Sequence, residues 1–272
     1  MKYPYGRNVF LTGGSSGIGS ATAGLFAANG YTVYAASRNP PSERRDFPGG
    51  GGIRPVTVDV CDLRLVESAS RTVLEEADIG IIIHCAGVGI ACPGEEYPAE
   101  AVDRLMDTNW SGVLRVNSCF IPHLRERGGG LCLVIGSLGG LFPIPFQSHY
   151  CASKAALDLY AAALRMELKD YGVRVCLVAP GDTNTGFTDA RKYAVSEVSP
   201  HYDACIRAVQ KMEKDERNGP SPAAAARALL KLSSRKHPPP RTVIGFGNKL
   251  LAMLRRFLPD RLILFILSMI YM

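Results

Sequence analysis

No two of the eight cysteines stand in a CxxC spacing, and Cys85, Cys132 and Cys176 lie inside apolar, strand-like runs. That pattern excludes a zinc ribbon or a disulfide framework and fits buried free thiols in a reducing cytosol, so a cytoplasmic protein with no metal site is expected. No apolar run reaches the roughly 20 residues that span a bilayer. The apolar stretch in the opening residues is too short for the core of a secretion signal and runs straight into a glycine turn, so no such signal is expected. Basic residues outnumber acidic ones to give a net charge of +6, yet they are scattered, with small clusters only at "SERRD", "SSRKH" and "MLRRF". That density is far below a nucleic-acid-binding arm, and no nucleic-acid partner is expected. Internal repeats and long linkers are also missing. With 47% hydrophobic and 21% charged residues the composition is that of a folded globular chain, which excludes disorder as the main theme.

What is present is an alternation. "RNVFLT", "YTVYAAS", "IRPVTVD", "IGIIIHCAG", "GLCLVIGS", "VRVCLVAP" and "RTVIGF" read as strands, separated by helical segments that begin near Ser16, Leu63, Ala99, Asn109, Ser148 and Ser221. Continuously apolar strands are buried on both faces, so the expected fold is α/β: one Rossmann-type domain over residues 1–272, a doubly wound parallel sheet of about seven strands with helices on both faces. Residues 39–52, with four consecutive glycines, read as a loop. Residues 182–218 follow a Pro-Gly pair and lack strand character, which suits an excursion beside the ligand crevice, a substrate lid.

The first strand leads into "TGGSSGIGS" and then a helix. Gly13, Gly17 and Gly19 permit a tight turn and a close approach of backbone to a pyrophosphate, whose charge meets the free N–H groups of the helix. Ser15, Ser16 and Ile18 fill the same turn and are candidate cofactor contacts. The second strand ends in Ala36, Ser37 and Arg38, where an NAD-selective site carries an acid for the ribose 2′-hydroxyl. An arginine with no neighbouring carboxylate favours a 2′-phosphate, so NADP(H) is the expected cofactor, ahead of NAD.

Tyr150 and Lys154 stand four apart at the head of an alanine-rich helix, on one face and one turn apart. An isolated pair of this kind better fits a packed ring beside a solvated lysine. The surrounding motifs decide. Thr12, Gly13, Gly17 and Gly19 match TGxxxGxG, Asp59 follows the third strand, "NWSG" begins at Asn109, "VIGS" ends in Ser137, "YCASK" holds the pair, and "PGDTNT" follows the sixth strand. Six motifs in this order, across about residues 6–190, resemble the short-chain dehydrogenase/reductase family. The resemblance implies that Tyr150 exchanges a proton with a carbonyl or alcohol oxygen, that Lys154 lowers its pKa and holds the nicotinamide ribose, that Ser137 polarises the same oxygen, and that Asn109 holds a relay water. It also implies that Asp59, Ala86, Gly87, Pro180, Gly181, Thr183 and Thr185 join the cofactor contacts. One motif departs: His84, Cys85, Ala86 and Gly87 stand where the family has NNAG. A strand-end histidine is expected there as a satisfied core residue.

The stretch before YCASK resembles the branch with 17β-hydroxysteroid and retinol dehydrogenases. Phe142, Ile144, Phe146, Gln147 and Phe187 are the expected substrate contacts, and an apolar wall suits a flat, greasy alcohol or ketone. A hydroxysteroid dehydrogenase acting at the 3- or 17-position of a steroid or bile acid is the expectation. The alternatives are a reductase of another lipid carbonyl, such as retinal or a 3-keto lipid, and a non-catalytic NADPH-binding protein. The apolar tail, residues 248–272, has three readings: a cover for the pocket, a subunit contact, or a patch pressed on a membrane. The cover is favoured, and the resemblance implies a homodimer or homotetramer.

Overall fold

The computed structural model describes residues 3–41 and 43–272. Its elements run β1 Asn8–Thr12, α1 Gly17–Ala28, β2 Thr32–Ser37, β3 Arg45–Asp46, β4 Gly52–Thr57, α2 Leu63–Glu76, β5 Ile79–His84, β6 Ile90–Ala91 and α3 Ala99–Met106. A π-helical turn, Asp107–Ser111, leads into α4 Gly112–Glu126, β7 Gly130–Ile135 and α5 Ser148–Glu167. Then come β8 Val173–Ala179, β9 Lys192–Tyr193, α6 Tyr202–Arg217, α7 Pro222–Ser233, β10 Arg241–Val243, α8 Phe246–Leu254 and α9 Asp260–Tyr271. The main sheet has the order β10-β8-β7-β5-β1-β2-β4-β3, and every pair is parallel except β3 with β4.

Side chains alternate across each strand, and the two halves of every strand feed different layers. Phe10, Ile82 and Val134 face α2, α4 and α5, where they meet Val66, Phe120 and Leu157. Leu11, Ile81 and Leu133 face α1 and α7, where they meet Phe26 and Leu229. Phe10 and Phe120 lie with ring centroids 4.3 Å apart at the centre of the first layer. Both layers are dry because the strands carry almost no polar side chain, the feature that made the parallel sheet legible. The strand order reverses between β5 and β1, so the crossovers on either side diverge and leave a crevice at the carboxyl ends of these strands.

Three elements depart from expectation. The loop at 39–52 contains an eighth strand: Gly50, with φ +77°, makes the turn that folds β3 back onto β4. The excursion at 182–218 is more regular than expected. Its β9 pairs with β6, and α6 places Cys205, Ala208, Val209 and Met212 on one buried stripe. The tail forms two helices, separated where Pro259 caps α9.

His84, at the end of β5, is buried, and its Nε2 lies 2.9 Å from Asn117 Oδ1. Asn117 Nδ2 donates in turn to the Tyr160 hydroxyl at 3.1 Å, tying β5 to α4 and α5 beneath the crevice. His84 is therefore the satisfied core histidine expected. An acceptor at Asn117 requires Nε2 to carry the proton, and burial pushes the imidazole pKa down to about 4. As pH falls below about 6.5 the unfolded chain protonates this group while the folded chain does not, so stability is lost progressively toward pH 4. Urea unfolding should show His84 contributing about 2 kcal/mol of lost stability between pH 7 and pH 5, a loss that His84→Gln removes. An unchanged pH dependence in that variant would place the titrating group elsewhere.

Candidate active site

The crevice opens into a cavity of about 540 Å³. Every candidate residue read from the sequence lines it except Asn109 and Phe146.

At one end lies the glycine turn between β1 and α1. Gly13 has φ +72°, and a Cβ there would sit 2.7 Å from Ala86 N; a Cβ on Gly19 would sit 2.0 Å from Gly13 O. Only glycine lets these backbones approach so closely. Ser16 precedes α1 in an extended conformation and makes no side-chain cap, so the first-turn N–H groups are left for a ligand. Across the turn, the Ser37 hydroxyl is buried with no hydrogen-bond partner, and Arg38 forms no ion pair among the described residues. Asp59 lies on the same wall, where its carboxylate accepts from Cys61 N at 3.0 Å. Thr185 packs over Gly17, bringing the segment after β8 across the turn. A glycine-rich turn, an uncapped helix start, an orphan hydroxyl and an unspent guanidinium together fit a phosphate-bearing dinucleotide.

At the other end are Ser137, Tyr150 and Lys154. Ser137 leaves the end of β7 and accepts from Gly139 N at 3.0 Å, while Tyr150 and Lys154 rise from the first turns of α5. Lys154 is 5% exposed; its Nζ donates to Ile135 O at 3.0 Å and stands 5.8 Å from the Tyr150 ring centroid. Burial pushes the Tyr150 phenol up to about 12, opposed first by its hydrogen bond with Ser137. Desolvation thus works against the lowering expected from Lys154, whose Nζ gives one of its three donors to Ile135 O. Burial also pushes Lys154 down to about 8.

Asn109 lies in the π-helical turn, fully buried, behind the cavity wall rather than in it. Its Oδ1 accepts from Val88 N at 2.8 Å, and its Nδ2 donates to Val88 O at 3.0 Å and Ser153 Oγ at 3.1 Å. The side-chain amide is thus committed to clamping the segment after β5. Cys85 fills the place of the family's second asparagine as a half-buried thiol that desolvation raises to about 12.

Between these ends the wall turns apolar. Phe142, Ile144 and Phe187 line it, with the Phe187 ring centroid 5.8 Å from that of Tyr150. Gln147 is 4% exposed, and its Nε2 has no partner among the described residues. Phe146 does not join them. Its φ of +60° gives its carbonyl to Cys92 N at 2.9 Å and turns the ring into the cluster of Cys205, Val209 and Met212. The sequence reading missed Met212 and Glu216 of α6, Asn248 and Leu251 of α8, and Leu267 and Tyr271 of α9, all on the cavity wall. The helical spacing of Ile263, Leu267 and Tyr271 was the available signal. The lid is fastened by Arg191, 5% exposed, which pairs with Glu216 while Thr188 Oγ1 donates to the same carboxylate at 2.6 Å.

Two glycines of α1 make a paired test. Gly19→Ala forces the turn open, and overpacking of about 1–3 kcal/mol should weaken dinucleotide binding roughly five- to hundredfold. At Gly24, by contrast, nothing lies within 4 Å of the position a Cβ would take, so Gly24→Ala should leave binding intact and stabilise the helix by up to about 1 kcal/mol. Titration of each purified variant with NADPH and NADH reads the difference; equal losses would show that the turn does not hold the cofactor.

A family model described as short chain dehydrogenase matches residues 7–195. The 3-ketodihydrosphingosine reductase of Bacteroides thetaiotaomicron is 35% identical over 97% of both chains. Human 17-beta-hydroxysteroid dehydrogenase type 1 is 33% identical over 66% of this chain and 58% of its own. In fold, a short-chain dehydrogenase from Streptomyces avermitilis superposes with a TM-score of 0.79 over 93% of this chain and 94% of its own, at 24% identity. One from Burkholderia cenocepacia, in complex with NADP, gives 0.73 over 96% and 97% at 23% identity. The expected family is thereby established: this chain belongs to the short-chain dehydrogenase/reductase family, as an oxidoreductase acting on CH–OH and C=O groups.

Proposed function

We propose that this enzyme uses NADPH to reduce the keto group of a long-chain lipid, with a 3-keto lipid as the substrate class. The observation that carries the reading is the apolar wall running from Tyr150 and Phe187 past Met212 to Leu251, Leu267 and Tyr271, much of it built by α8 and α9. A relative named for a 3-keto lipid matches the chain along 97% of its length, whereas the steroid dehydrogenase covers 66%. The hydroxysteroid expectation therefore becomes the second reading. The non-catalytic alternative leaves Ser137, Tyr150 and Lys154 together without a chemical reason.

The bound cofactor supplies the hydride. Tyr150, protonated at neutral pH because burial holds its pKa near 12, donates its proton to the carbonyl oxygen as negative charge develops there. The Ser137 hydroxyl donates to the same oxygen and orients it. Lys154 is still largely charged at neutral pH; beyond Ile135 it has two further N–H donors for the nicotinamide ribose. Ser37 and Arg38 hold the 2′-phosphate, and no acid at the end of β2 opposes it. Gln147 offers its free amide donor to an oxygen on the substrate.

Absorbance at the nicotinamide band, followed across 3-keto lipids, retinal and steroid ketones, tests the substrate. Long-chain keto lipids should be reduced fastest; turnover of steroids alone would restore the steroid reading. Tyr150→Phe should lower turnover at least about a hundredfold with NADPH affinity little changed. Near wild-type turnover would remove Tyr150 from proton transfer. A charged hydrogen bond contributes on the order of 1.5–3 kcal/mol, so Arg38→Ala should weaken NADPH roughly ten- to hundredfold at fixed ionic strength and leave NADH unchanged. Equal weakening of both cofactors would make Arg38 an ordinary loop arginine.

A further inference from the structure

Helix α9 is apolar on more sides than the fold covers. Ile263 is its single buried residue, and Leu267 and Tyr271, one and two turns on, are half-buried along the same stripe toward the cavity. The other faces are open: Phe265 is 61% exposed and Met269 73%, with Leu264 and Ile270 beside them. Leu250 and Met253 of α8, and Phe257 in the link between the two helices, are exposed as well. A helix apolar almost all round belongs in a core or a lipid phase, and large apolar side chains left exposed on such a helix mark an interaction site.

We propose that the α8–α9 face docks on the surface of an anionic lipid bilayer. Charge favours that occupant. Lys249, Arg256 and Arg261 are exposed on and between the same helices with no ion pair among the described residues, and the one carboxylate there, Asp260, is engaged by Arg255 at 2.9 Å. Cations flanking an apolar face suit lipid headgroups. Length sets the depth: twelve residues rise about 18 Å against about 30 Å of hydrocarbon, so α9 lies in the interface. No helix among the described residues is long and apolar enough to cross. A second copy fits less well, since two such faces would gather both sets of cations with only the already paired Asp260 residues to offset them. Leu251, Leu267 and Tyr271 turn the inner side of these helices to the cavity, so docking sets the cavity wall against the lipid. The inference stands apart from the substrate reading, because membrane partition is measured without substrate.

The test is flotation of the full-length protein with vesicles of phosphatidylglycerol and phosphatidylcholine, and with phosphatidylcholine alone. The wild type should float with the anionic vesicles, less with the neutral ones, and less again as salt rises. Phe265→Glu with Met269→Glu should cut partition at least about tenfold, and Arg256→Glu with Arg261→Glu should cut it comparably on anionic vesicles only. NADPH binding should survive in both, since these side chains lie off the cavity. Should the apolar variant fail to fold, the charge-reversal variant decides alone. Wild-type protein that stays unbound, or partition unchanged in the folded variants, overturns the proposal. So does an oligomer broken by Phe265→Glu with Met269→Glu in a protein that never binds vesicles, an outcome that assigns the face to a second copy.

Discussion

Lys154 carries an ammonium that is 5% exposed and meets one protein acceptor, Ile135 O, although it has three donors. Burying such a group is costly, and the lowered pKa records that cost. The site is arranged around it. The end of β7 supplies the acceptor, the first turns of α5 fix the lysine and Tyr150 in one frame, and the Asn109 clamp on Val88 holds the wall beside Gly87. The two unspent donors face a cavity whose other end is a phosphate-sized turn. A dinucleotide spanning that distance satisfies both ends at once, which gives the dry lysine its reason.

The same burial shapes the substrate side. Phe187, the lid fastened through Arg191 and Glu216, and the inward stripe of α9 enclose the half-buried Tyr150. A phenol raised toward 12 is a poor base but a dependable acid at neutral pH, which suits ketone reduction. The tail therefore has two faces: the inner stripe completes a wall that an alkyl chain can follow, and the outer face presents apolar side chains to whatever the molecule meets.

The parts of this site legible in the sequence were those whose chemistry is local. Gly13 and Gly19 announce a backbone contact, Tyr150 and Lys154 share a helical face, and the continuous apolar runs fix a parallel sheet. What stayed hidden depended on partners far along the chain or on backbone detail. Arg45 and Asp46 carry no strand signal and pair only because Gly50 turns the chain back. The left-handed φ of Phe146 cannot be read from "PIPFQ", yet it moves the ring from the cavity to the lid cluster. The burial that works against Lys154 at Tyr150, and the commitment of the Asn109 amide to Val88, are properties of the assembled interior. Leu267 and Tyr271 carried the right spacing, but nothing local says that their stripe faces the cavity.

The central claim is that an alkyl chain lies along the wall from Tyr150 to α9, and it is tested most directly by kcat/KM across straight-chain ketones of increasing length at saturating NADPH. Burying a methylene contributes about 0.8 kcal/mol, so kcat/KM should rise by roughly fourfold per added methylene and level off once the chain outgrows the wall. A dependence flat from the shortest ketone onward, with rigid polycyclic ketones turned over faster than any of them, would contradict it.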